Sequence, residues 1–236
     1  MIVGTVRQFV AAVLNEGKYD SFVATITRDI IEHMKSLSEI EDYDEISDAE
    51  MTKIYQWPFA GAHKNRNLTV IFRMEEEYGP EDDIQVEGEY TGGHRPKLLI
   101  IVAPTVSDYN ANGSPKLLRL LRHIHSNVQR TVAHELEHAL QDSFKTGPSD
   151  RPEIDPEHAG YDDGDTLGYL TAPHEVAAHV RGFYLQAKRT KKPLGRIIQH
   201  VIDQYVAGEF LSDDEAQEVI DTWQAYAKQH FPAGQL

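Results

Sequence analysis

The spacing of apolar residues along this 236-residue chain changes twice, and each change narrows the folds open to it. From residue 2 to 37 they recur every three or four positions (Val6, Phe9, Val10, Val13; Phe22, Ile26, Ile30, Met34, Leu37), as in a helix with one buried face. Asn15-Glu16-Gly17 carries a stop signal, so two N-terminal helices, 2–15 and 19–37, are expected. Residues 39–50 form an acidic, solvated run ending in Ser47-Asp48-Ala49-Glu50, a capping-box pattern that predicts a short helix through Tyr55. The period then falls to two. Residues 68–74, 84–90 and 97–103 read as three strands, separated by turns at Tyr78-Gly79-Pro80 and at Thr91-Gly92-Gly93-His94-Arg95-Pro96. Links this short favour antiparallel neighbours.

Helical spacing returns after a loop containing Asn110, Asn112 and Gly113, with Ser114-Pro115 as its cap and first position. It continues to about residue 144, longer than most globular helices, so a break near Ser126-Asn127 is expected. Residues 145–172 are rich in Gly, Pro and Asp and read as a long loop. Helices follow at 173–189 and 194–207, and from Ser212-Asp213-Asp214-Glu215, a second capping box, to about residue 230. The expected architecture is one α+β domain over 1–236: N-terminal helices (1–60), a small antiparallel sheet (66–104), a long helical region (114–144), the loop, and C-terminal helices (173–236).

Composition limits the chemistry. There is no cysteine, which excludes disulfides, thiolate zinc ribbons, iron–sulfur clusters and thiol nucleophiles, and leaves His, Asp and Glu to hold any metal. The formal charge of −15 repels phosphate backbones and anionic bilayers, so neither nucleic acid nor a membrane is an expected partner. The basic run Lys188-Arg189-Thr190-Lys191-Lys192 follows a helix end, where cations complement the dipole. No apolar stretch reaches a membrane-spanning length, and the N-terminal segment reads as an amphipathic helix rather than a signal peptide, so a cytoplasmic location is expected.

The segment that carries chemistry is Thr131-Val132-Ala133-His134-Glu135-Leu136-Glu137-His138. Residues four apart on a helix lie about 40° apart around its axis, so both imidazoles point the same way and can give two nitrogens to one Zn²⁺. Glu135 is turned towards the side where a metal-bound water would lie and suits the role of proton acceptor. A catalytic zinc site takes a third protein ligand. Glu175, in Pro173-His174-Glu175-Val176-Ala177-Ala178-His179, is the leading candidate, with His174, His179 and the loop residue His158 as rivals. A histidine that is not a ligand could orient one, or donate to an oxyanion; Tyr161 and Tyr169 are further donor candidates. Asp142, one turn beyond His138, could orient an imidazole or simply face solvent. The acidic stretch 155–165 offers oxygens of the kind Ca²⁺ prefers, but its spacing matches no EF-hand.

His-Glu-x-x-His followed on a later helix by Glu-x-x-Ala, here Glu175 to Ala178, resembles the gluzincin group of zinc metallopeptidases, including its small single-domain members. The resemblance spans residues 131–182. It implies a zincin-like active-site helix, His134, His138 and Glu175 as zinc ligands, Glu135 as general base, and a protein or peptide substrate. Ala178 and Gly182 would let the later helix approach closely. Glu137 stands where that group usually has an uncharged residue, and 36 residues separate His138 from Glu175. Two other classes stay open: a zinc-stabilised regulatory or structural protein on a peptidase scaffold, and an interaction protein in which the motif is accidental.

Overall fold

No proline interrupts the first 37 residues, and Gly17 is the only glycine between Thr5 and Leu37. In the computed structural model this segment is one helix, α1 (Ile2–Leu37), rather than the expected pair. A glycine inside a helix costs only about 1 kcal/mol against alanine, too little by itself to end a helix; beyond it Val23, Ile26, Ile30 and Met34 form a buried stripe. The structure describes residues 2–37, 50–59, 66–74, 85–92, 95–103, 117–143 and 165–231. The expected features at 39–49, Tyr78-Gly79-Pro80, Gly93-His94, 110–115 and 145–164 lie outside them. The chain divides into two compact units, Met1–Ser143 and Phe144–Leu236. Its class is α+β, with six helices and one sheet among the described residues. No helix among them is long and apolar enough to cross a membrane.

The first unit holds four strands, β1 (Glu50–Gln56), β2 (Asn67–Met74), β3 (Gln85–Thr91) and β4 (Lys97–Ala103). The helix expected through Tyr55 is instead β1, an edge strand whose Met51, Lys53 and Tyr55 alternate with Thr52 and Ile54. Pairing with β2 overrides the local capping signal. The sheet order is β1-β2-β4-β3. β1 and β2 run antiparallel, as do β3 and β4, but β2 and β4 are parallel. The sheet is therefore mixed rather than wholly antiparallel. The short-link rule holds for β3 and β4; β4 returns between its two predecessors because it is the most apolar strand, with Leu98, Ile100 and Val102 fully buried.

Those residues share a face with Leu68, Val70, Phe72 and Met74, in register Val70 with Leu98 and Phe72 with Ile100. Helix α1 covers this face on the β1–β2 side. The His33 ring stands edge-on to Phe72, and Phe22 meets Tyr55, Trp57 and Phe59 edge-on. The β3–β4 side belongs to α2 (Leu117–Ser143). This helix runs unbroken through Ser126-Asn127, because Ile124, Val128, Val132, Leu136 and Ala139 form one continuous buried stripe. Packing outweighs two residues of modest helix propensity.

In the second unit α3 (Thr166–Thr171) occupies the end of the expected long loop, capped by Asp165, which accepts from the Gly168 amide at 2.7 Å. Helices α4 (Pro173–Thr190), α5 (Leu194–Ala207) and α6 (Asp213–His230) follow at the expected positions. Lys191 ends α4 in a left-handed conformation (φ 56°), with Lys188 and Arg189 in its last turn. Ser212 and Glu215 complete both halves of the capping box on α6. Val180, Phe183, Ile198, Ile202, Val219 and Trp223 are buried, and the Trp223 indole donates to the Leu170 carbonyl at 2.8 Å.

One buried charge locks α1 to β1. Asp29 accepts from Lys53 Nζ and from the Tyr55 hydroxyl, each at 2.7 Å. Burial works to raise the Asp29 carboxyl, but these two bonds and the Lys53 charge outweigh it, and the group titrates below the usual carboxylate range. Its stabilisation is therefore complete above the unfolded value of about 3.9 and is lost as pH falls through the lower folded value. Tyr55→Phe is expected to cost about 2 kcal/mol at neutral pH by removing a bond to a charged group. Urea unfolding between pH 2 and 6 should show a shallower acid limb for Asp29→Asn than for the wild type; parallel limbs would contradict this account.

Candidate metal centre

Helix α2 lies along the edge strand β3, pointing the same way, and three contacts fix its position. Thr131 Oγ1 donates to the Val86 carbonyl at 3.4 Å, Glu135 rests on Gly88, and Asp142 accepts from the Tyr90 hydroxyl at 3.2 Å. From the other side the Tyr19 hydroxyl of α1 donates to the Ala133 carbonyl, one residue before the motif. The buried stripe of α2 thus leaves His134 and His138 on a flank where both rings are only partly covered.

The two imidazoles behave as the i, i+4 geometry requires. Their Nε2 atoms are 3.1 Å apart and the rings stand nearly perpendicular, at 82°. Two nitrogens on a tetrahedral zinc, each at 2.0–2.1 Å, are separated by about 3.3 Å, so the pair is already spaced for one small cation. Glu135 Oε1 lies 4.0 Å from His134 Nε2, and the side chain is only 8% exposed. A carboxylate held this close to the histidine pair is placed to exchange protons with a water beside them.

Gly88 explains how Glu135 sits there. A Cβ at this position would come within 2.6 Å of Thr131 Cγ2, 2.7 Å of Glu135 Cγ and 2.8 Å of Glu135 Oε1. Only a residue without a side chain lets the helix carboxylate lie flat on the strand. Gly88 was not singled out from the sequence, although a glycine inside an alternating strand pattern is a signal of close approach. Tyr19 and Tyr90 were also missed; nothing local distinguishes them from ordinary core tyrosines.

The second unit supplies the other candidates. Glu175 is 7% exposed in the first turn of α4, where a negative charge suits the helix dipole. His174 Nε2 lies 3.5 Å from its Oε1, and His179 Nε2 lies 3.8 Å from its Oε2. The His174 side chain is 42% exposed, whereas that of His179 is 17% exposed. The His179 ring stacks on Trp223 (5.0 Å, 23°) and on Phe183 (6.0 Å, 17°), with Tyr169 edge-on at 5.9 Å. Ala178 and Gly182, on the same stripe of α4 as Glu175, are buried. Tyr161, His158 and the acidic stretch up to residue 164 lie outside the described residues. Asp142 is tied to β3 through Tyr90, which anchors the end of α2.

Replacing Gly88 should therefore be felt at the motif. Gly88→Ala is expected to lower stability by about 1–3 kcal/mol, the usual range for overpacking. Adding Thr131→Ser, which removes the nearest methyl, should recover part of the loss. Chemical unfolding of the two variants measures both effects, and a Gly88→Ala midpoint equal to that of the wild type would show that the cradle is looser than described. Comparison with known proteins yields no match: no protein family, no curated protein and no solved structure.

Proposed function

We propose that this protein is a zinc-dependent metallopeptidase in which His134, His138 and Glu175 hold one Zn²⁺ and Glu135 is the general base. The observation that carries the reading is on α2: two imidazole nitrogens 3.1 Å apart, with a buried carboxylate on the adjacent residue. Two nitrogens and one oxygen from the protein suit zinc, whereas Ca²⁺ and Mg²⁺ prefer sites built wholly from oxygen. When bound, the ion supplies the Lewis acidity that polarises a carbonyl and lets water lose a proton near neutral pH.

The remaining chemistry belongs to the chain. Glu135 takes the proton from the attacking water and returns it to the departing amine, a transfer that needs its carboxylate within hydrogen-bond reach of both. Gly88 and Thr131 set where that carboxylate can lie. Tyr19 and Asp142 hold the helix that carries it. Glu175 contributes one negative charge, so the protein ligands leave a net charge of about +1 on the centre for a developing oxyanion to meet. The substrate proposed is a protein or peptide.

Elemental analysis and a general proteolysis assay test the reading together. About one zinc per chain is expected in the wild type, with loss of that zinc in His134→Ala. Glu135→Gln should keep its zinc and lose hydrolysis by about 100-fold or more, the range for removing a general base. A wild type with no stoichiometric zinc overturns the reading. Full zinc with no turnover on any peptide would leave a metal-stabilised scaffold in its place.

A further inference from the structure

We infer that His179 is a positioning residue that orients the Glu175 carboxylate for the metal; the inference rests on the proposed zinc reading. Two histidines flank Glu175, one at each oxygen. His174, with 42% of its side chain exposed, lies 3.5 Å from Oε1. His179 belongs to a ring cluster of the second unit's core: it stacks on Trp223 and on Phe183, which also meet each other at 5.3 Å, and Tyr169 stands edge-on to it.

The stack has its own anchor. Trp223 is fully buried, and its indole N–H donates to the Leu170 carbonyl at 2.8 Å, which ties α6 to α3. A chain of contacts therefore runs from the α3 backbone through Trp223 and His179 to Oε2 of Glu175. At 3.8 Å the last contact is electrostatic, about 0.8 Å longer than a hydrogen bond, and a small change in the Glu175 rotamer closes it. A glutamate has three rotatable side-chain bonds and loses up to about 2 kcal/mol of rotamer entropy when fixed. A ring that cannot itself turn restricts that freedom before a metal arrives, and such outer partners of metal ligands typically carry 10–100-fold in metal affinity.

The decisive variant is His179→Phe, which keeps an aromatic ring against Phe183 and Trp223 and removes both ring nitrogens. We expect its zinc dissociation constant, measured at fixed neutral pH by competition with a chromophoric chelator, to rise 10- to 100-fold. The thermal unfolding of the metal-free protein should change little, which separates positioning from packing. His179→Gln, whose amide N–H can reach the carboxylate, should recover much of the affinity. Glu175→Ala should be weaker than either.

Each other result removes the inference. Affinity unchanged in His179→Phe, while the wild type binds zinc, overturns the positioning role and leaves the zinc reading intact. A loss in His179→Phe as large as in Glu175→Ala would make His179 a ligand. Unchanged affinity with lost turnover would make it an oxyanion donor. A wild type that takes up no zinc removes both the inference and the reading beneath it.

Discussion

The contact between α2 and β3 governs the first unit, because one helix has to bury a hydrophobic stripe and carry His134, Glu135 and His138 at the same time. Val128, Val132, Leu136 and Ala139 take the buried face. Seated on the sheet by these residues, the helix has little rotational freedom left, and the directions of His134, Glu135 and His138 follow from it. Thr131, Glu135 and Asp142 meet β3 at Val86, Gly88 and Tyr90 in order. Eleven helical residues advance about 16 Å and four strand residues about 13 Å, so the two elements keep step over the length of the motif.

The elements that could be read from the chain were those whose signal is local. Helix α5 was expected at the span it occupies, and Ser212 and Glu215 form the expected capping box, because a cap involves only residues three apart. Strands β2, β3 and β4 announced themselves by alternation. β1 did not, since only Tyr55 of its seven residues is buried and its existence depends on pairing with β2. The parallel pairing of β2 with β4 was illegible for the same reason: strand order is a long-range property. The histidine pair was legible because helical geometry alone dictates its spacing. The Gly88 cradle was not, since it requires knowing which strand the helix lies against.

Two misreadings were of one kind. Gly17 and the pair Ser126-Asn127 carry local terminator character, yet α1 and α2 pass through both. Intrinsic propensity amounts to about 1 kcal/mol or less per residue, whereas burying one large aliphatic side chain returns about 1.5–3 kcal/mol. In α2 the apolar stripe continues in phase across Ser126-Asn127, and there the stripe decides.

Buried charge is the remaining organising theme. Among the described residues three carboxylates are buried: Asp29, Glu135 and Glu175. Asp29 is met by a full positive charge from Lys53 and a hydroxyl from Tyr55. Glu135 and Glu175 have histidines as neighbours, at 4.0 Å and at 3.5 and 3.8 Å. Burying a carboxylate is costly unless positive charge lies near it, and the zinc proposed above would supply that charge. In the proposed reading, metal binding therefore adds to stability as well as to chemistry, by an amount that grows with the logarithm of free zinc over its dissociation constant.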